Sequence, residues 1–241
     1  MSEPRITLAR TVRIWWRDNI HQLGFLRTSG FFLKQMWDFL RDSTPERHRQ
    51  RYGDIDYDWE HRVNTTEGTI SFRNRLLGVF HSAYQSTQPE AFQQMIDGLE
   101  IDYSQFIFID LGSGKGRTLL MASDYPFQRV IGVELLPELH RIAQENIRVY
   151  KGGVADRVQS IRGDARSFEF PNHPTVLFLF NPFPQAVLEE VLAKLMQSLK
   201  EHPRAFYVIY YNPVLESVLA TKTEMQLIER RRQYATFVTG L

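Results

Sequence analysis

Residues 106–116, FIFIDLGSGKG, constrain this chain more than any other segment. An apolar run ends in an acid and then opens into glycine at every second position. An unbroken apolar run of this length predicts a strand buried on both faces of a parallel sheet, with Asp110 at its carboxyl end. Gly112, Gly114 and Gly116 allow a sharp turn with positive φ and let backbone approach a ligand with no Cβ between. The segment KGRTLLMASDYP that follows reads as a helix, whose first N–H groups face the same crevice. Strand, acid, glycine turn and helix describe a nucleotide-type cofactor site. The spacing is D-x-G-x-G-x-G. A dinucleotide fingerprint needs a further glycine at position 117, where this chain has Arg117, so an oxidoreductase using NAD ranks low.

Beyond residue 106 the chain alternates strands and helices. RVIGVELL is a second strand ending at Glu134, and Pro137 then suits the first turn of a helix. Leu139, Ile142, Ala143, Asn146, Ile147 and Tyr150 recur at helical spacing, giving a mostly apolar face. VQSIRGDA predicts a third strand finishing near Asp164, and TVLFLFNPFP a fourth, central one. Residues 185–199 are an amphipathic helix with Leu188, Val191, Leu192, Leu195 and Leu199 on one side. Residues 204–211 form a fifth strand, and the tail reads as two more meeting around 230–233. The pattern predicts an α/β fold, a doubly wound, mostly parallel seven-stranded sheet with an antiparallel edge.

Residues 1–100 differ in texture and are assigned to a helical N-terminal cap and lid, leaving 101–241 as the sheet domain. Leu8, Val12, Trp15 and Leu23 share one helical face, a second helix is expected over 31–40, and Thr44-Pro45-Glu46 is a good helix start. The stretch YGDIDYDWEHRVNTTEGT has no sustained period and reads as an ordered loop, and 90–99 as a helix. Arginines mixed with Trp15, Trp16, Phe25, Phe31, Phe32 and Trp37 suit either a cap over the sheet or a helix resting on a membrane surface. A net charge of +1 gives no field to draw nucleic acid, so none is expected as a partner. With no cysteine there are no disulfides and no thiolate chemistry. No metal-ligand spacing joins the histidines, so no metal is expected. No apolar stretch reaches the roughly 20 residues of a bilayer span, and the first ten residues lack a signal-peptide core, so a cytoplasmic protein is expected.

Residues 106–116 with Glu134, Asp164 and Asn181-Pro182-Phe183 resemble the class I, seven-stranded S-adenosylmethionine-dependent methyltransferases, from about residue 84 onward. Within them, YQSTQPEAFQQMID followed by FIDLGSGKGR is similar to the non-SET histone-lysine methyltransferases. Those place a ligand-covering loop and helix directly before the glycine turn. They also carry an asparagine-containing segment where this chain has Asn181.

The resemblance implies a Rossmann-like fold, S-adenosylmethionine as cofactor, and a set of site residues. Backbone amides of Gly112, Ser113, Gly114 and Gly116 suit the methionine carboxylate, and Asp110 the ammonium, directly or through water. Glu134 can accept from the ribose hydroxyls. Asp164 can accept from the adenine amino group, with Ala165 a neighbouring backbone donor. Each acid alone reads equally as a solvated strand-end residue; three at consecutive strand ends converge on one crevice. Tyr84 and Thr87 lie where related enzymes cover the methionine end. Asn181, beside the cofactor, and Pro182 match a motif that holds an acceptor nitrogen, and Phe183 replaces that motif's second proline. An aromatic at 183 can lie against a flat or cationic acceptor, while Asn-Pro also suits a plain turn, the reading given to Asn212-Pro213. The expected activity is methyl transfer to a nitrogen of a small molecule or protein side chain. The alternative is a non-catalytic S-adenosylmethionine-binding module that docks on a partner or membrane through its N-terminal helices. Neither the acceptor nor the oligomeric state can be read from the residues.

Overall fold

Ile107, Ile109 and Leu111 face one apolar layer and Phe108 another, which is why the run is hydrophobic without alternation. The structure is a computed structural model and describes residues 12–13, 15–17, 19–20, 24–42, 55–66, 86–152, 155–180 and 183–239. Ile107–Leu111 (β1) pairs in parallel with Arg129–Glu134 (β2) on one side and Thr175–Phe180 (β4) on the other. Val158–Arg162 (β3) extends the sheet beyond β2, and Phe206–Tyr211 (β5) beyond β4, again in parallel. Gln226–Arg230 (β6) and Tyr234–Val238 (β7) add the antiparallel edge, in the order β3-β2-β1-β4-β5-β7-β6. The doubly wound, mostly parallel seven-stranded sheet expected from the sequence is present. Strand order reverses between β1 and β4, so the crevice beyond their carboxyl ends is the ligand position of such sheets.

Helices cover both faces. Gln185–Glu201 (α6) buries Leu188, Val191, Leu192, Leu195 and Leu199 against Leu177, Leu179 and the odd-numbered residues of β1. Each such burial is worth about 1.5–3 kcal/mol, so packing fixes this helix more than propensity does. On the other face, Pro89–Asp97 (α3) and Arg117–Ser123 (α4) bring Phe92, Met95, Ile96, Leu119 and Ala122 against Phe108, Val176 and Phe178. Pro137–Val149 (α5) links β2 to β3 with Pro137 in its first turn. The outer strand β6 is exposed along most of its length and carries a register shift between Leu227 and Glu229, features that discourage further pairing.

The chain divides into two compact units, one from residues 1–53 and 67–85, the other from 54–66 and 86–241. Residues 54–66 and 86–100, grouped by sequence with the cap, therefore fold with the sheet. In the first unit, Phe25–Asp42 (α1) starts six residues earlier than expected. Trp15 is buried and stacks on Phe31 at 5.9 Å, and Trp16 meets Phe25 and Phe32 edge-on. Leu26, Leu33 and Trp37 of α1 are exposed. No helix among the described residues is long and apolar enough to cross a membrane.

Two helices correct the sequence reading. Ile55–His61 (α2) stands where an ordered loop was expected, ended by Arg62 at a φ of 55°. Two turns are too short to display a period, and contacts to residues far along the chain hold them. Glu216–Lys222 (α7), between β5 and β6, was not anticipated for the same reason of length. The expected helix start at Thr44-Pro45-Glu46, with Leu8 and Leu23, lies outside the described residues.

Candidate active site

Gly112, Gly114 and Gly116 take φ values of 89°, 56° and 83°, a region open at little cost only to glycine. The turn they form is tied to the tip of β2. The Gly112 and Ser113 amides both donate to the Val133 carbonyl, at 2.8 and 3.1 Å, and the Gly116 amide donates to the Ser113 carbonyl at 2.8 Å. The Gly114 amide donates to Glu134 Oε2 at 2.8 Å. These four amides thus already have acceptors inside the protein. The turn stands beside two carboxylates, Asp110 and Glu134.

Ser113 packs over Gly132 of β2. A Cβ at 132 would stand 2.6 Å from Ser113 Oγ and 2.5 Å from Leu119 Cδ1. Gly132→Ala is expected to destabilise the fold by about 1–3 kcal/mol through overpacking. A thermal melt checks it, and an unchanged midpoint would contradict this packing.

The two acids behind the turn are buried. Asp110 accepts a hydrogen bond from the Thr118 hydroxyl. Glu134 divides its oxygens, Oε2 to Gly114 and Oε1 to the Leu136 amide at 2.7 Å. Burial pushes the Asp110 carboxyl up to about 7, against the Thr118 hydrogen bond and helped by the charge of Glu134. Burial also raises Glu134, opposed by its backbone hydrogen bonds. Among the described residues no ion pair reaches either acid. A buried acid pair at adjacent strand tips is costly unless something cationic or rich in hydroxyls meets it.

The third acid is placed differently. Asp164 caps the short turn Ala165–Ser167, accepting from the Arg166 amide at 2.9 Å, and is gripped by the Arg166 guanidinium with Nη2 at 2.6 Å. This pair is partly exposed and worth about 0–1 kcal/mol, so a ligand amino group could displace it at small cost. Ala165 is buried. Thr87 is buried in the extended segment leading to α3, and Phe183 is half-buried against the α6 side of the core. Tyr84, Asn181 and Pro182 lie outside the described residues. Asn212, at a φ of 49°, turns the chain after β5.

A polar network absent from the sequence reading holds the glycine turn from outside. Lys115 and Arg117 are 0% and 2% exposed. Lys115 Nζ donates to Asn64 Oδ1 at 3.1 Å and to the Thr66 carbonyl. Arg117 donates through Nε to Thr65 Oγ1 at 2.6 Å and through Nη2 to Asp58 Oδ1 at 3.2 Å, with its Cζ 4.8 Å from the centre of the Tyr57 ring. Asp58 also accepts from the Thr65 hydroxyl and from the Thr65 and Thr66 amides, at 2.7 and 2.8 Å. Asn146 of α5 joins Asn64 and the Lys115 carbonyl, each at 2.9 Å or less. A polar Asn146 within an otherwise apolar helix face was the one sequence sign of this network.

Residues 108–202 match the methyltransferase domain family. That segment is therefore similar to a methyltransferase domain. The residues at the strand tips fit S-adenosylmethionine: two buried acids that no ion pair reaches among the described residues, for a cationic, hydroxyl-bearing ligand, beside a glycine turn. No curated protein matches this chain. Among solved structures it is similar to an RNA methyltransferase from Salinibacter ruber in complex with S-adenosyl-L-homocysteine, at 21% identity over 64% of this chain and 92% of that one, TM-score 0.44. A SAM-dependent O-methyltransferase from Thermotoga maritima gives 16% identity, 64% and 66% coverage and a TM-score of 0.49. The ribosomal protein L11 methylase of Lactobacillus delbrueckii subsp. bulgaricus gives 14%, 64%, 78% and 0.45. Likeness at this level carries no reading of the acceptor.

Proposed function

We propose that this methyltransferase methylates a nitrogen, on a small molecule or a protein side chain, with Asn181, Pro182 and Phe183 holding the acceptor. The observation that supports the reading is the pairing of β4 with β1, in which Phe178 lies level with Asp110. β4 ends two residues later, so the chain leaves it beside the tip that carries the acid. An asparagine amide oxygen and a proline carbonyl accept the two protons of an amine and leave its lone pair free to point inward. The cofactor supplies a methyl group already activated on a positively charged sulfur. The protein's task is therefore alignment and exclusion of water. A buried pocket favours the neutral, nucleophilic amine. In this reading Asp110 meets the ammonium, Glu134 the ribose hydroxyls, and Asp164 the adenine amino group in place of Arg166.

The test is transfer of labelled methyl from S-adenosylmethionine into a cell extract, separated into protein, nucleic-acid and small-molecule fractions. Label on nitrogen in the protein or small-molecule fraction is expected. Label confined to nucleic acid or to oxygen would overturn the acceptor assignment.

Asp110 also sets a pH dependence. Its ionised form binds an ammonium, so cofactor affinity should rise with pH toward 7 and level off above it. The effect on ligand-free stability has the opposite sign. A carboxyl with a raised folded pKa binds protons that the unfolded chain does not, so its contribution is present at low pH and lost as pH rises through about 7. Calorimetry and melting curves between pH 5.5 and 8 check both, and Asp110→Asn should flatten them.

A further inference from the structure

We infer that residues 57–66 are a positioning strap for the cofactor turn, so that order in the strap and affinity for S-adenosylmethionine are coupled. The inference rests on the cofactor reading of the turn. Lys115 lies between Gly114 and Gly116, and Arg117 opens α4 next to the last glycine, so both are on the turn itself. Both side chains are buried and bonded to the strap. A buried guanidinium needs a carboxylate and fixed acceptors. Asp58 supplies the first, and Thr65 Oγ1 the second.

Asp58 is the hub. Its two oxygens take the Thr65 and Thr66 amides, the Thr65 hydroxyl and Arg117, so one side chain both closes the strap and ties it to the turn. The other end is fastened by Asn146, which accepts from the Asn64 amide and donates to the carbonyls of Asn64 and Lys115. The turn is therefore held between β2 on its inner side and the strap on its outer side. Holding it removes the freedom that binding would otherwise have to quench, and a preorganised site binds more tightly for that reason. The coupling is reciprocal: if the strap tightens the cofactor, the cofactor steadies the strap by the same factor.

Hydrogen exchange of the full chain, with and without saturating S-adenosyl-L-homocysteine, tests the inference together with calorimetry on Asp58→Asn and Thr65→Val. The product is used because it binds without turnover. The Thr65 and Thr66 amides should exchange about fivefold or more slowly with ligand, and each variant should weaken ligand binding by about tenfold, as loss of a charge-assisted hydrogen bond implies. Asparagine keeps the shape of Asp58 but has a single acceptor oxygen for several donors. Exchange in β1 and β4 reads the fold separately, and should stay at the wild-type rate in Thr65→Val. Wild-type affinity in either folded variant, or ligand-independent exchange at Thr65 and Thr66, would overturn the strap. Failure of the wild type to bind the ligand at all would instead remove the cofactor reading, and the strap's role with it.

Discussion

Replacing Asn181 by alanine is expected to lower methyl transfer by about a hundredfold while S-adenosylmethionine binding is largely kept. The change removes the amide oxygen proposed to hold the acceptor and leaves the acids on β1 and β2 untouched. Methyl transfer depends on an in-line approach, and misplacing a bound reactant by about 1 Å costs about 10²-fold. The measurement is turnover at saturating cofactor beside a calorimetric titration of the same preparation. Full turnover in the variant would return Asn181 to an ordinary turn residue. Loss of cofactor binding in parallel would place it on the cofactor side instead.

Glu134→Ala is expected to weaken S-adenosylmethionine binding by about a hundredfold, from hydrogen bonds to a charged group worth about 1.5–3 kcal/mol each. Part of that loss comes from the protein. Glu134 accepts from the Gly114 and Leu136 amides through different oxygens, so removing it also releases the glycine turn from β2. Glu134→Gln separates the contributions. Glutamine has one acceptor oxygen, so one of the two amides would face an NH₂ group and lose its partner. The glutamine variant is expected to bind at least about tenfold more weakly than wild type despite its matching shape. Unchanged affinity in both variants, with the fold intact by melting, would remove Glu134 from the site.

The strands were readable because each is an apolar run whose length and burial leave few alternatives. The sequence placed the fourth strand's apolar core at 176–180, and β4 runs Thr175–Phe180; the tail broke into two strands around 230–233, where β6 and β7 meet. Asp110 and Glu134 were readable for the same reason, since a polar residue ending such a run has only the strand tip to occupy. What escaped was structure fixed by distant side chains. α2 owes its place to Asp58 and its bonds around Arg117, 59 residues further on, and no local pattern encodes that. The engagement of Asp164 by Arg166 also escaped, because a partly exposed pair two residues apart leaves no hydrophobic signature.

The strap has a consequence for where this enzyme can be cut. The family match begins at residue 108, and trimming to it would discard the acceptors that Asp58, Asn64, Thr65 and Thr66 offer to Lys115 and Arg117. Both cations would lose those acceptors, and the glycine turn would lose the support they fasten. A fragment that keeps the turn in place is therefore discontinuous: a short N-terminal splint must accompany the sheet.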